Sequence, residues 1–441
     1  MSARFDAIVV GAGFAGVAAA TSLAERGARV LVLETRQRPG GRAYSWTDPE
    51  TGEVQDNGQH ILGAFYDETL RLLSRLGTAD ALAVDPTFHL RVWERGRGSF
   101  EFRCPDLPSP FHWIAAVGTC ARLGARARVL ALDLPRRVRE LVARNGDGSG
   151  LTVEAWLGAI GGNEDLAALL HPLALASLNE DPREGSAGLF ARVLDRIFKS
   201  PARSSGLAMP GRGLGDLLAG FERYVAERGG EVRYRSTVLG VRVEAEKVAG
   251  LSLLGGERID SGCVILAVPH DRAGWMLAPE HFGGSDGITR VPWSPIVSTV
   301  HTYDRPVLPS RFVGLLGTRT QWAFDRGAAA GGHHVGTVRS AAFQDGERPG
   351  QEVLDETAAE LREAFPAARE ATLLRARIYK ERRATIRSLP GVQRLRPPTV
   401  TPVRGLYLAG DWTATGLPPT IEGGVMSGHR AAALASSAGS R

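Results

Sequence analysis

The stretch Gly11-Ala-Gly13-Phe-Ala-Gly16 decides the fold of this 441-residue chain, because it lies between an apolar strand pattern and an apolar helix pattern. Residues 7–10 predict a buried strand and residues 17–26 predict a helix. In a glycine pattern of this spacing, the first glycine permits a sharp turn and the second lets the backbone approach a pyrophosphate. The third lets the helix pack on the strand. The stretch therefore predicts a Rossmann-type nucleotide-binding unit.

A carboxylate and a second pair of glycines extend this prediction from a nucleotide to FAD. Glu34 follows the predicted second strand, residues 29–33, where its carboxylate can accept both hydroxyls of a ribose. Gly40-Gly41-Arg42 lies just beyond it, and purely nicotinamide-dependent enzymes have no such requirement at this place. The N-terminal segment therefore favours FAD over NAD.

The C-terminal region supplies the other half of the predicted FAD site. Residues 405–409 predict a strand that ends at Gly410-Asp411, where a carboxylate can hold a ribityl hydroxyl. Thr420 and Ile421 open a closing helix whose N-terminus can face the N1–C2=O edge of a flavin. The helix dipole would stabilise the negative charge of the reduced ring. The alternative is a strand and a helix that only complete the sheet.

Composition excludes several classes of function. With 43% hydrophobic and 23% charged residues, the chain is typical of a folded protein. Only three of its 53 basic residues are lysines, and the arginines are spread along the chain without interleaved aromatic residues, which argues against nucleic-acid binding. The three separated cysteines predict neither a disulfide framework nor a metal site. Without a long apolar run or room for a signal peptide, we expect a cytoplasmic protein.

The nucleotide-binding elements come from separated parts of the chain, which predicts an interleaved arrangement. We expect an α/β fold in which segments 1–66, 205–270 and 396–441 form a Rossmann-type FAD-binding domain. Segments 67–204 and 271–395 would form a mixed α+β substrate or cap domain. Residues 67–200 are predicted to be mainly helical and 215–228 to be one helix, followed by short strands to residue 268.

These features resemble those of the flavin amine oxidase and carotenoid desaturase superfamily. Finer matches resemble one branch of it, the hydroxysqualene dehydroxylases of bacterial squalene and hopanoid synthesis. They cover nearly the whole chain and include Asp56–His60, His171–Asn179, Gln321–Gly327, Lys380–Thr385 and, most specifically, Ala409–Gly423. Within this resemblance Val238 corresponds to the residue whose backbone meets the adenine. Together the motifs and the resemblance imply a set of residues that hold FAD without a covalent bond: Gly11, Gly13, Phe14, Ala15, Gly16, Glu34, Gly40, Gly41, Arg42, Asn57, Gly58, Gln59, Val238, Gly410, Asp411, Thr420 and Ile421.

The resemblance implies that an allylic C30 alcohol is reduced to squalene by hydride from flavin N5. The leaving hydroxyl needs a proton donor, for which His60 is the first candidate because an imidazole can donate near neutral pH. Asp56 and Asp325 are further candidates. The alternatives are a histidine bonded to backbone or flavin, an aspartate that ties down a loop, and an Asp325 paired with Arg326 or another arginine.

Other functions remain open on the sequence alone. A polyene desaturase would use the same flavin in the opposite direction, an amine oxidase is third, and a non-catalytic lipid carrier is the least favoured. A long isoprenoid substrate and an unidentified electron donor are the expected partners. Residues 111–117 and 129–132, with Arg122, Arg126 and Arg128 between them, have the composition of an interfacial helix pair. They predict attachment to the inner face of the cell membrane, with an internally packed cap helix as the alternative.

Overall fold

A computed structural model describes residues 5–49, 51–144, 150–201, 204–211, 213–329 and 331–439. The outermost residues of the predicted nucleotide-binding segments, 1–4 and 440–441, lie outside this description. Twelve α-helices are numbered in chain order within these ranges: α1 Phe14–Glu25, α2 Asp67–Leu76, α3 Phe111–Thr119, α4 Ala125–Ala143, α5 Val153–Ala159, α6 Glu164–Leu178, α7 Ala187–Lys199, α8 Phe221–Ala226, α9 His270–Met276, α10 Gly350–Ala364, α11 Pro366–Glu370 and α12 Ile421–Gly439.

The same ranges contain twenty strands, which form five sheets. In chain order they are β1 Ala7–Val10, β2 Val30–Leu33, β3 Ser45–Thr47, β4 Val54–Asp56, β5 Leu62–Gly63, β6 Leu82–Val84, β7 His89–Glu94, β8 Gly98–Arg103, β9 Leu207–Pro210, β10 Glu231–Arg233, β11 Val238–Glu244, β12 Lys247–Leu253, β13 Arg258–Asp260, β14 Val264–Leu266, β15 Trp293–Tyr303, β16 Phe312–Leu316, β17 Trp322–Ala329, β18 Gly332–Ser340, β19 Leu373–Ile386 and β20 Leu406–Leu408.

A five-stranded parallel sheet with the order β10-β2-β1-β14-β20 organises the nucleotide-binding part. Its strands come from the beginning, the middle and the end of the chain, and all four neighbouring pairs are parallel. The central strands β1, β2 and β14 are buried along their whole length, as apolar runs in a covered parallel sheet should be. The predicted Rossmann-type α/β fold is confirmed.

Helices α1 and α12 pack closely because small residues line their contact. A Cβ placed on Gly428 would lie 2.1 Å from the carbonyl oxygen of Ala15, so only glycine allows this approach of the two backbones. Gly424, one turn earlier on the same face of α12, would place a Cβ 4.0 Å from Ala15, which is ordinary contact. The closing helix is therefore held directly against the helix that follows the glycine loop.

A seven-stranded sheet, ordered β19-β15-β18-β17-β16-β7-β8, has two faces with different neighbours. We call the face that carries Ser298 and Gly336 the inner face, because it lies against the segment around Gly58 and Gln59. The opposite, outer face carries His301 and the cluster that includes Tyr303, and it packs against α10 and α11. The inner face is therefore the one that meets the nucleotide-binding part.

One secondary-structure prediction is incomplete and another is wrong. Residues 67–200 are mainly helical as predicted, but the strands β6, β7 and β8 lie between residues 82 and 103 and alternate buried and more exposed side chains, such as the buried Leu90 and Val92. The predicted helix over 215–228 is broken at Gly220, whose φ of +89° ends a 3₁₀ turn before α8 begins. The closing helix predicted to open at Thr420 and Ile421 is present as α12.

Helices α3 to α7 cover one end of the inner face and share a large apolar core with it. This core contains Trp113 and Phe190 from the helices and Phe102, Trp322 and Phe324 from the sheet. Within the described part of the chain, no helix combines the length and apolar character needed to cross a bilayer.

Candidate flavin site

The glycine loop between β1 and α1 keeps its backbone open on one side. Gly11 has a φ of +99°, and a Cβ there would lie 2.6 Å from the carbonyl oxygen of Ala267. A Cβ on Gly16 would lie 1.8 Å from the carbonyl oxygen of Gly11, so both glycines are required by the fold itself. The nearest non-neighbouring atom to a Cβ placed on Gly13 is the Cα of Gly41, at 3.8 Å. The open side is thus at Gly13, where the motif needs the backbone to approach a pyrophosphate.

Glu34 lies at the carboxyl end of β2 and is held there by two backbone amides. One carboxylate oxygen accepts a hydrogen bond from Ala12 N at 2.7 Å and the other from Arg36 N at 2.8 Å. Each oxygen keeps a further lone pair, so the carboxylate can still accept a ribose hydroxyl. Val238 begins β11 nearby, since Ser236 N donates to the carbonyl oxygen of Glu34 at 2.9 Å. The two predicted residues of the adenosine half therefore lie together.

The Gly40–Arg42 segment crosses the glycine loop and reaches the other end of the chain. Gly40 N donates to the carbonyl oxygen of Ala12 at 2.8 Å. Arg42 then forms an ion pair with Asp411, with 2.5 Å between Nη2 and Oδ1, and donates to the carbonyl oxygen of Ala384 at 2.9 Å. One oxygen of Asp411 is thus engaged by Arg42, which leaves the other for the predicted ribityl contact.

The turn that contains Gly410 and Asp411 is fixed between β20 and α12. Gly410 N donates to Ser427 Oγ at 3.0 Å, and Ser427 lies on α12. Thr420 precedes α12, and its Oγ1 accepts a hydrogen bond from Gly423 N at 3.2 Å. Ile421 is the first residue of the helix. The C-terminal residues predicted to contact flavin therefore share one rigid corner of the fold.

Asn57, Gly58 and Gln59 lie between this corner and the inner face. The side chain of Asn57 donates to the carbonyl oxygen of Arg42 at 2.7 Å and accepts from Tyr44 N at 3.2 Å. A Cβ on Gly58 would lie 3.1 Å from Ser298 Oγ on β15. The segment therefore fastens the Gly40–Arg42 crossing to the seven-stranded sheet.

The predicted cofactor residues converge on the carboxyl edge of the parallel sheet, where nucleotides bind in folds of this kind. The open backbone at Gly13, the half-free carboxylates of Glu34 and Asp411, and the N-terminus of α12 fit the pyrophosphate, ribose, ribityl and ring parts of FAD in that order. No cluster of three or more metal-ligating side chains occurs in the described ranges.

His60 is held in its neutral form. Its Nδ1 lies 3.0 Å from the carbonyl oxygen of Gly58, and because a carbonyl only accepts, the proton is on Nδ1. Burial lowers the pKa of His60 below 6.5, against the opposing effects of the Gly58 carbonyl and the carboxylate of Asp56. At pH 7 the other ring nitrogen, Nε2, is thus a hydrogen-bond acceptor.

Asp56 ties down a loop. Its Oδ1 accepts hydrogen bonds from Ser45 Oγ at 2.6 Å and Leu214 N at 3.0 Å, and its Oδ2 lies 3.6 Å from Arg326 Nη2. These contacts join the β3–β4 hairpin to the turn at Leu214 and to β17. With both carboxylate oxygens engaged in these contacts, Asp56 serves as a structural anchor.

Asp325 does not lie near the flavin corner. It pairs with Val335 in the sheet, which places it on the outer face, and its carboxylate contacts His333 Nε2 at 2.6 Å and Gly327 N at 2.8 Å. A β-bulge follows immediately, so Arg326 points to the inner face and contacts Gln55 and Asp56 instead. The expected pairing of Asp325 with an arginine is therefore wrong, and its partner is a histidine.

Sequence reasoning missed Tyr66 and the role of Glu422. Glu422 is fully buried, and its carboxylate accepts from Thr69 N at 2.9 Å, Thr69 Oγ1 at 2.8 Å and Arg196 Nη1 at 3.0 Å. It therefore caps α2 rather than its own helix. The Tyr66 hydroxyl lies beside Thr420 and Glu422, contacts that no local pattern in the sequence indicates.

The chain is similar along its whole length to known proteins. The family model of flavin containing amine oxidoreductase matches residues 14–435. The hydroxysqualene dehydroxylase of Rhodopseudomonas palustris is 32% identical, covering 98% of each chain. The 15-cis-phytoene desaturase of an Oncidium hybrid cultivar is 25% identical over 96% of this chain and 76% of its own. The structure of wild-type putrescine oxidase bound to putrescine superposes with a TM-score of 0.73, at 18% identity, over 99% of both chains. The chain thus belongs to the flavin-containing amine oxidoreductases, in the branch that contains the hydroxysqualene dehydroxylases, and it is an FAD-dependent oxidoreductase.

Proposed function

We propose that this enzyme reductively dehydroxylates hydroxysqualene to squalene, in squalene and hopanoid synthesis. The observation that carries the proposal is the apolar cluster that the inner face of the seven-stranded sheet shares with the cap helices. Trp322, Phe324 and Val338 on the inner face belong to one apolar cluster with Phe65, which directly precedes Tyr66. A C30 hydrocarbon chain needs such a surface, because each buried methylene contributes about 0.8 kcal/mol. The full-length likeness to a hydroxysqualene dehydroxylase supports the same substrate class.

The chain's residues would position two partners and exclude water. FAD, when bound and reduced, supplies a hydride to the carbon that loses its hydroxyl. We place FAD, without a covalent bond, on the residues of the glycine loop, Glu34, the Gly40–Arg42 crossing and the Asp411 corner. Release of FAD into the supernatant after acid denaturation tests this, and retention on the precipitated protein would contradict it.

The role of His60 that fits this reaction best is to orient the substrate. With its proton on Nδ1, its Nε2 can accept a hydrogen bond from the substrate hydroxyl and so fix which carbon faces the flavin. His60→Gln would then weaken binding of the alcohol more than binding of squalene. Equal affinities of the variant and the wild type for the alcohol, measured through the flavin spectrum, would refute this role.

We also propose that segments 1–66, 205–270 and 396–441 hold the cofactor, and that segments 67–204 and 271–395 hold the substrate. The five-stranded sheet supports the first set, since all its strands come from those segments. The apolar cluster supports the second, since it is built largely from helices α3 to α7 and the seven-stranded sheet.

A membrane surface is the proposed source of the substrate. Phe111 and Ile114 on α3, and Val129 and Leu132 on α4, are 60%, 46%, 67% and 46% exposed. The two helices touch between these pairs, where the Trp113 indole donates to the carbonyl oxygen of Ala131 at 2.8 Å. Exposed apolar side chains in one place on a surface favour an interfacial contact.

One predicted part of that surface is wrong, because Arg122 is buried in ion pairs with Glu94 and Asp165 and does not face solvent. Flotation with anionic vesicles tests the attachment. We expect the wild type to float and a variant with Phe111→Ser and Val129→Ser to remain at the bottom. Flotation of neither protein at low salt would refute the proposal.

The reaction itself is tested anaerobically. Photoreduced enzyme is mixed with hydroxysqualene, and we expect rapid flavin reoxidation together with squalene. The likeness to a phytoene desaturase favours the opposite direction as the second candidate. Reduction of the oxidised flavin by phytoene, with no reaction of the alcohol, would establish that candidate and refute ours.

A further inference from the structure

The Tyr66 hydroxyl lies at the junction of the two halves of the site. The ring packs edge-on against Phe65, with 5.4 Å between centroids, and contacts the apolar core of the cap as well as that of the nucleotide-binding part. The hydroxyl lies beside Thr420, which directly precedes α12, and near Glu422 and Arg196. It is thus a polar group between the apolar core of the cap and the corner where we place the flavin.

We propose that Tyr66 is the proton donor of the dehydroxylation, delivering its phenolic proton to the leaving hydroxyl. This inference rests on the proposed function. As the C–O bond breaks, its electron pair stays with oxygen, which takes the proton of Tyr66 and departs as water. The carbon receives the hydride that reduced FAD supplies. Tyr66 is left as a phenolate and regains its proton from solvent after the product leaves.

Tyr66 is the group at this place that still carries a proton to give at pH 7. His60 is neutral with its proton committed to the carbonyl of Gly58, and Asp56 is a loop anchor whose Oδ1 is occupied by Ser45 Oγ and Leu214 N. Asp325 lies on the other face of the sheet. Burial, together with the negative charge of Glu422, raises the pKa of Tyr66 to about 12, so the phenol stays protonated. Hydroxide is a much stronger base than this phenolate, so transfer to the departing oxygen is downhill.

Charged and polar neighbours from three elements set the strength of this acid. Glu422 on α12 opposes ionisation of the phenol, whereas Arg196 on α7 and the hydroxyl of Thr420 stabilise the phenolate. Because Glu422 is itself paired with Arg196, its opposing effect is partly cancelled. The arrangement keeps the proton on Tyr66 at rest and supports the phenolate once the proton has left.

The test compares two substrates with Tyr66→Phe, which removes only the hydroxyl. Proton donors of this kind contribute about 10²- to 10⁴-fold, so flavin reoxidation by hydroxysqualene should slow by about 10²-fold or more. The acetate ester of the same alcohol leaves without a proton, and with it the variant should lie within about threefold of wild type. Equal slowing with both substrates, or none with the alcohol, would overturn the proposal.

Tyr303→Phe is the matched control. It removes a buried hydroxyl on the outer face that has no hydrogen-bond partner among the described residues, and it should leave both rates unchanged. Failure of the wild type itself to form squalene from the alcohol would refute the proposed function instead, so the two failures are distinguishable.

A second experiment holds even if Tyr66→Phe does not fold. 3-Fluorotyrosine at position 66 keeps the ring and the hydroxyl and strengthens the acid. Hydroxysqualene added to the oxidised enzyme should move the fluorine resonance of this label and leave a label at position 303 unmoved. An unmoved resonance at position 66 would show that substrate does not meet Tyr66 and would overturn the proposal.

Discussion

Gly428→Ala should destabilise the protein even though alanine favours helices. In an exposed helix interior the exchange would stabilise by about 1 kcal/mol. At position 428 the new Cβ would lie 2.1 Å from the carbonyl oxygen of Ala15, where ordinary contact begins near 3.4 Å. Helices α1 and α12 must therefore separate by about 1 Å, and overpacking of this kind costs about 1–3 kcal/mol.

Separation of α1 from α12 would also disturb the hydrogen bonds of the neighbouring residue, Ser427. Ser427 accepts from Gly410 N at 3.0 Å and lies 2.7 Å from Thr413 Oγ1, and loss of such bonds costs about 0.5–1.5 kcal/mol each. After subtraction of the helix-propensity gain, the net loss expected for Gly428→Ala is thus about 1–5 kcal/mol. Because Gly410 adjoins Asp411, the variant should also lose FAD more readily.

Urea denaturation followed by tryptophan fluorescence measures the loss, and the fluorescence of released FAD measures retention. Gly424→Ala is the matched control, since it adds the same methyl group on the same helix face at 4.0 Å from Ala15. The control should unfold at the wild-type midpoint or slightly above it. A Gly428→Ala variant as stable as this control would refute the reasoning about the contact.

Three further variants test other parts of the fold. Glu422→Ala should lower the free energy of unfolding by about 1–3 kcal/mol, because the buried amide of Thr69 loses its acceptor and the partly exposed Arg196 loses its ion-pair partner; an unchanged urea midpoint would contradict this. Burial lowers the pKa of His301 to about 4, so between that value and 6.5 only the unfolded chain binds the proton. Stability should therefore fall as the pH drops through this window, by about 3 kcal/mol at its lower end, and His301→Gln should flatten the pH dependence of the urea midpoint by one proton. Arg42→Met leaves the carboxylate of Asp411 without its ion pair and should weaken FAD binding about 10- to 100-fold, measured by flavin fluorescence; wild-type affinity would show that the pair does not shape the site.

The cofactor-binding half of the molecule could be predicted because its sequence motifs are local. A glycine loop between a strand and a helix, an acid at the end of the next strand and a second glycine pair all lie within residues 11–41 and can each be recognised from a few neighbouring residues. Gly13 and Gly41 approach each other because the chain between them, including Glu34, forms one helix, one strand and one crossing segment. Local geometry of this kind leaves a direct trace in the sequence.

The sequence pattern did not predict strands β7 and β8 because helices surround them in the chain. Their alternation of buried and more exposed residues is short and is surrounded by true helices, so the longer helical period dominates the sequence pattern. They become strands because β16 offers an edge, with Gly314 pairing with Val92. That edge comes from a segment more than 200 residues later, which no local pattern can indicate.

The proton-donor question shows why the catalytic half resists prediction. A single bulge after Asp325 turns that carboxylate to the outer face and Arg326 to the inner face, and one carbonyl bond fixes the tautomer of His60. On residue type alone, both Asp325 and His60 are attractive proton donors. Tyr66, in contrast, gains its role from Thr420 and Glu422, which lie some 350 residues away in the chain. An acid in this fold is therefore defined by which side chain keeps its proton beside the flavin corner, and that property belongs to the assembled site rather than to any motif.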